Sequence, residues 1–306
     1  MIGRVVEIAG DDRHLSLLRG FMLVRSEGSE IARIPLDDIG VLVANGHGLS
    51  YSHNLLLALA DRGVAMVLCG TNQSPAAWLW PVAGHHAQTA NMLAQSVIGK
   101  PLAKRLWQGL VVAKVAQQAA VLDIAGKPSG GIAALGRKVR SGDPENIEAQ
   151  AARRYWPLLM GPDFRRDRSA PGANALLNYG YTILRSMTAR SVAAAGLHPS
   201  LGLHHRTRTD PLCLASDLME PFRPLIDLAV FRLIADGNDE LTPEVKAVLA
   251  AVTSVDMRSP RGTTPLATCI ERLATSVARA CVDGTGSLDL PLSPQPLDAA
   301  WLGRVR

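Results

Sequence analysis

The chain has 306 residues, 47% of them hydrophobic, enough to bury one large core or two ordinary ones. It has no run of 18 apolar residues, no secretion-signal pattern in the opening MIGRVVEIAGDD, and no CxxC pair among its four cysteines; this excludes a membrane-spanning or disulfide-framed class and points to a cytoplasmic protein. Net charge is +5, and the surplus lies wholly in residues 137–223, where 13 Lys and Arg face 8 Asp and Glu, leaving 19 and 19 elsewhere, as a local polyanion site requires.

The first seventy or so residues read mostly as strands. Arg4–Ile8, His14–Val24, Ile31–Ile34 and Val41–Val43 are short and β-branched or alternating, and turn signals at Gly10-Asp11-Asp12 and Ser26-Glu27-Gly28 separate them. One helix follows, capped by Ser52, with Leu55, Leu56 and Leu59 as its apolar stripe and Gly63 after its end. Val64–Leu68 reads as a buried strand. From Gly70 to Gly84, Pro75, Pro81 and small polar residues break the pattern. Beyond that the hydrophobic period becomes 3.6, which predicts helices near 87–98, 101–124, 144–160, 173–195, 217–236, 242–252 and 262–282. Aromatics are only 4% of the chain, a balance that suits close-packed helices better than a base-stacking surface. A switch from strands to helices without return gives an α+β, mainly helical fold class. The expected layout is a β-rich domain over 1–75, a linker over 76–90, a helical domain over 91–285 and a Pro-rich tail over 286–306 in which Trp301 can act as an anchor.

The most informative stretch is Gly142-Asp-Pro-Glu-Asn-Ile-Glu148-Ala-Gln-Ala-Ala-Arg-Arg-Tyr-Trp156. Asp143 can cap a helix, with Pro144 at its first position, where the missing N–H costs nothing. On that helix Ala152, Tyr155 and Leu159 fall within about 40° of Glu148, which therefore sits on the apolar face. An unpaired carboxylate there would cost several kcal/mol or become protonated, so it needs a cation. An arginine from another helix and a metal ion both satisfy that need, and a shifted helix register would remove it.

The second constellation runs from Gly202-Leu-His204-His205-Arg206-Thr-Arg208 to Asp217-Leu-Met-Glu220-Pro-Phe-Arg223-Pro224. Asp217 and Glu220, three apart, project from one helix face and repel unless a positive group lies between them. Pro221 and Pro224 imply a helix start or kink at that point. Histidine with carboxylates suits Mg²⁺ or Mn²⁺, whereas the paired short spacings of structural zinc are missing. His205 alone reads better as a surface or packing histidine, but Arg206 and Arg208 beside it fit a site that receives a phosphate. Arg165, Arg166 and Arg168 form another basic cluster, readable as a solvated loop or as a DNA contact.

These two acidic segments, together with Val64-Ala-Met-Val-Leu-Cys-Gly-Thr-Asn-Gln-Ser-Pro-Ala-Ala-Trp78 and Asn174-Ala-Leu-Leu-Asn-Tyr-Gly-Tyr181, resemble the CRISPR-associated adaptation integrases, the Cas-one family. The resemblance runs from near residue 1 to about 285. It implies a β-rich N-terminal domain that forms a homodimer and a helical domain that uses Mg²⁺ or Mn²⁺. It places the family's metal ligands, which are also its catalytic residues, on Glu148, His205 and Glu220, with Asp217 at a second acidic position. His204 falls where many relatives carry an apolar residue. The implied activity is that of a metal-dependent DNA endonuclease and integrase inserting short foreign fragments, spacers, into a CRISPR array. The implied partners are double-stranded DNA and a small Cas-two protein, and the chain length and the Pro75 region suggest a Cas-nine effector nearby. Arg153, Arg165, Arg166, Arg168, Arg206, Arg208 and Arg223 are the candidates to hold DNA phosphates. Two rivals stay open from the sequence: a divalent-metal nuclease of DNA repair acting on branched or nicked DNA, and a DNA-binding scaffold without catalysis.

Overall fold

The computed structural model describes residues 4–70, 75–79, 81–82, 85, 87–207, 209–260 and 262–294. The chain divides into two compact units, Met1–His86 and Ala87–Arg306.

The first unit holds β1 (Arg4–Ile8), β2 (Arg13–Leu18), β3 (Phe21–Ser26), β4 (Ser29–Pro35), β5 (Ile39–Ala44), β6 (Ser50–Tyr51), α1 (His53–Asp61), β7 (Ala65–Cys69) and β8 (Pro75–Leu79). One four-stranded sheet has the order β1-β5-β7-β8, parallel through β7, with β8 antiparallel at its edge. The other has the order β4-β3-β2-β6, with β6 parallel to β2. Both bury their inner faces in one core with α1, built on Leu15, Met22, Leu42, Leu55, Leu59 and Met66. Ser52 caps α1 as the sequence predicts, accepting the Leu55 N–H at 3.3 Å.

Two expectations change here. His14–Val24 is a hairpin, because Arg19 and Gly20 both take positive φ (46° and 83°) and form the two-residue turn whose twist matches the strands. The expected linker is partly strand: residues 76–79 belong to β8, which starts at Pro75 on a sheet edge where a residue lacking an N–H is tolerated.

The second unit holds α2 (Gln88–Ser96), α3 (Lys100–Ile124), α4 (Gly130–Gly136), α5 (Ile147–Met160), α6 (Ala173–Ala194), α7 (Cys213–Met219), α8 (Arg223–Ala235), α9 (Pro243–Ala251), β9 (Asp256–Ser259), β10 (Gly262–Pro265), α10 (Leu266–Asp283) and β11 (Ser293–Pro294). The axis is α3, apolar on most of its surface, which packs against α4, α5, α8 and the turn at 220–222. Across the unit, α6 packs on α7, α8, α9 and α10.

The helical domain is not wholly helical. Strands β10, β9 and β11 form a small antiparallel sheet, so the expected helix from 262 begins as a strand. β11 also draws in the start of the Pro-rich tail, where the Asp289 N–H bonds Ser276 Oγ at 3.0 Å. Trp301 lies outside the described residues. Helix α4 went unread because Gly130, Gly131 and Gly136 look like breakers. No described helix is long and apolar enough to cross a membrane.

Candidate active site

Glu148 sits one residue inside α5, whose start is fixed by two side chains. Asn146, in the left-handed conformation at φ 52°, accepts the Ala149 N–H at 3.3 Å. Asp143 accepts the N–H groups of Ile147 and Glu148 at 2.8 and 3.0 Å. The helix therefore begins three residues later than the sequence suggests, and Pro144 precedes it. The wheel survives the shift in part: Tyr155 and Leu159 are buried, while Ala152 is partly exposed on the wall of the neighbouring cleft. The cation that Glu148 meets is Lys114 of α3, with Nζ 2.6 Å from Oε1.

Glu220 reaches the same ammonium. It opens the short 3₁₀ turn Glu220–Phe222 between α7 and α8, where Pro221 and Pro224 break the expected single helix into two. Its Oε2 is in ion contact with Lys114, without an aligned hydrogen bond, and its Oε1 accepts from Arg223 at 2.7 Å. Burial pushes the Glu220 carboxyl up, but Arg223 and Lys114 outweigh it and bring it down to about 2. Two carboxylates, 72 positions apart in the sequence, thus share one buried lysine.

Asp217, wholly buried on α7, organises the third component. Its Oδ2 accepts the N–H groups of Leu203 and His204 at 2.7 and 2.9 Å, and its Oδ1 accepts the His205 N–H at 3.2 Å. Oδ1 also meets His205 Nδ1 at 2.5 Å, leaving Nε2 as the ring nitrogen available to a ligand. That hydrogen bond raises the His205 pKa, against the effect of burial. Only glycine fits at 202, since a Cβ there would collide with the His205 carbonyl and lie 3.0 Å from Asp217 Oδ2. Trp107 of α3, two turns before Lys114, backs both histidines: His204 stacks on it at 4.2 Å, and His205 meets it edge-on at 5.6 Å.

A cleft of about 830 Å³ opens beside Lys114 and Glu148, and Arg153, Arg165 and Arg166 are among the residues lining it. Arg153, Arg165 and Arg168 are exposed, as is Arg206 next to His205, whereas Arg208 lies outside the described residues. Arg166 is partly buried and donates through Nη1 to Asn174 (2.9 Å) and through Nη2 to Asn178 (2.6 Å), fastening the basic loop to α6. Arg223, also expected to hold phosphates, lines the cleft but is committed to Glu220 and to the Tyr181 ring, 4.2 Å away. Beneath it Asp227 accepts from the Tyr181 hydroxyl, and the buried Tyr155 hydroxyl lies close by without an aligned partner.

Among the described residues no three His, Cys, Asp or Glu side chains are grouped closely enough to hold an ion as they stand. The donor set nevertheless suits a hard divalent cation. Two carboxylates already converge, one oxygen from each, on one positive centre, and an aspartate orients the neighbouring imidazole. The sequence did not reveal Lys114, Trp107, Tyr181 or Asp227 as parts of this site. A single charged residue, Lys114, in the stretch 106–122 of α3 was the one available signal.

Solved structures with the same fold include a casposase bound to integration product, at 20% identity and a TM-score of 0.78, covering 94% of this chain and 92% of that one. A Cas1 protein from Thermotoga maritima aligns at 14% identity and a TM-score of 0.73, covering 91% and 97%. The fold is thus one found in CRISPR-associated and casposase proteins. The family described as CRISPR associated protein Cas1 matches residues 6–244. A Neisseria meningitidis protein named CRISPR-associated endonuclease Cas1 is 40% identical over 237 residues, 76% of this chain and 77% of its own. One from Thermus thermophilus is 32% identical over 247 residues, 75% and 74% of the two chains. The chain belongs to the Cas1 family of CRISPR-associated proteins.

Proposed function

We propose that the protein is a divalent-metal-dependent DNA endonuclease and integrase that inserts spacers into a CRISPR array during adaptation. The observation that carries this reading is the convergence of Glu148 and Glu220 on a single positive centre, with His205 held by Asp217. Glu148, His205 and Glu220 would hold Mg²⁺ or Mn²⁺, the ions their oxygen and imidazole donors suit. When bound, the ion polarises the scissile phosphate and lowers the pKa of the attacking hydroxyl. The chain supplies the rest. Glu148 and Glu220 concentrate negative charge, and Arg223 keeps Glu220 ionised. Asp217 fixes the His205 tautomer so that Nε2 is the free nitrogen. Arg153 and Arg165 at the cleft, with Arg168 and Arg206 outside it, position phosphates without reading bases.

Double-stranded DNA as substrate is supported by relatives named as endonucleases, by the casposase bound to integration product, and by a TtCas1–DNA complex of the same fold at a TM-score of 0.55. A Cas6-RT-Cas1–Cas2 complex, matched at a TM-score of 0.73, supports a Cas2 partner. Homodimerisation through the first unit and operation beside a Cas9 effector belong to the same proposal.

The test is joining of a labelled 3′-hydroxyl duplex to supercoiled plasmid, with Mn²⁺ and with chelator. Joined product that disappears with chelator, and in Glu148→Ala and His205→Ala, is the expected result. Hydrolysis without joining would make the protein a repair-type nuclease, and full activity of Glu148→Ala would dismiss the site.

A further inference from the structure

We infer that Lys114 is a built-in counter-ion of the metal site, holding its two acids in place before the ion arrives and competing with the ion for them; this deepens the proposed function and rests on it. Lys114 is 7% exposed, an unusual setting for a lysine unless its charge is matched. Its ammonium meets Glu148 at 2.6 Å and also Glu220, while Glu220 keeps a second partner, Arg223, on its other oxygen. Removal of Lys114 from between the acids therefore leaves Glu220 paired through Oε1 and frees Oε2 together with Glu148 Oε1. Those are one oxygen from each carboxylate, facing a common centre, which is the arrangement an incoming cation needs.

The side chain is suited to this exchange. Lysine carries a compact charge on a flexible four-carbon stem, and Lys114 lies on the wall of the open cleft, so its ammonium has solvent to enter. Arginine at the same place would grip both carboxylates with a planar fork and yield less readily. A charge-neutral residue would leave two acids facing each other with nothing between, raising their pull on any cation. Lys114 is thus a positioning residue whose cost is weaker metal binding, and it spares the site the repulsion of two acids when no ion is present.

Calorimetric titration of the full-length protein with Mn²⁺, without DNA, tests this separately from catalysis. Lys114→Met is expected to bind Mn²⁺ about tenfold more tightly than the unmodified protein. It should also melt lower without the ion and gain more melting temperature from it. Lys114→Arg keeps the charge, and so the fold, and is expected to bind several-fold more weakly. Affinity that is unchanged or weaker in Lys114→Met, or unchanged or tighter in Lys114→Arg, overturns the assignment. Loss of Mn²⁺ binding in His205→Ala shows that the titrated site is the proposed one. Binding that survives His205→Ala, or absence of binding in every form, rejects the site itself, a failure distinct from that of Lys114.

Discussion

Asp227 lies under the cleft with its carboxyl pushed up to about 6 by burial, against the pull of the Tyr181 hydroxyl and Arg223. An acid whose folded pKa is raised binds more protons in the native state than in the unfolded one. Its contribution to stability is therefore present at low pH and is lost as pH rises from about 4 through 6. Glu220 runs the opposite way: its lowered pKa gives stability above its usual value that is lost only as pH falls towards about 2. Asp227→Asn should remove the first slope. Between pH 4.5 and 7.5 the melting temperature of the variant should gain on that of the unmodified protein as pH rises, by the equivalent of about 3 kcal/mol at most. Parallel curves would show that Asp227 titrates normally. At this scale the sequence pointed to the acids but not to their partners. Glu148 was legible because α5 is regular and its apolar stripe surrounds the carboxylate. Lys114, 34 residues earlier, was not, since nothing in the local pattern says that α3 crosses α5 at that turn.

Helix α2 acts on the site from a distance. Its buried Gln95 donates to the carbonyls of His198 and Leu201, each at 2.9 Å, and accepts the His198 N–H at 2.8 Å. Asp217 then takes the next backbone groups, from Leu203 to His205. The histidine loop is held at one end by α2 and at the other by α7. Gln95→Ala should cost about 2–3 kcal/mol, because it leaves those backbone groups without partners, and should slow strand joining by loosening His205. Urea unfolding and the joining assay check the two effects; a stable variant with full activity would refute the link. The segment Asn174–Tyr181 has the same logic. Asn174 and Asn178, one helical turn apart, fasten the basic loop, and Tyr181 reaches Asp227. Helix positions were legible from period and caps. The break at Glu220–Phe222 was legible from Pro221 and Pro224, while α4 and β9 were not, because short elements with glycines or four residues carry too little pattern.

Across the whole molecule the basic surplus of residues 137–223 divides in two. Arg140, Arg185, Arg190 and Arg223 are paired with Glu145, Asp210, Glu271 and Glu220. Arg137, Lys138, Arg153, Arg154, Arg165, Arg168 and Arg206 are exposed, as is Arg140 despite its partner. The polyanion face is thus narrower than the count of charges suggests. Every side chain of the candidate site belongs to the second unit, which buries many apolar residues of its own. A fragment covering residues 87–306 should therefore bind Mn²⁺ with the affinity of the full chain, as read by calorimetry. Loss of binding in a folded fragment would show that the first unit contributes to the site.

By itself the sequence determined the order of the two units and the type of most elements, because these follow from local periodicity and capping, and it singled out Glu148, His205 and Glu220 as candidates through motifs shared with a known family. Only the tertiary structure decided that one lysine joins Glu148 to Glu220, that Arg223 serves an acid before any phosphate, and that Asp217 aims His205. Those relations join residues far apart along the chain, and they depend on how α3, α5, α7 and α8 cross, which no local pattern encodes.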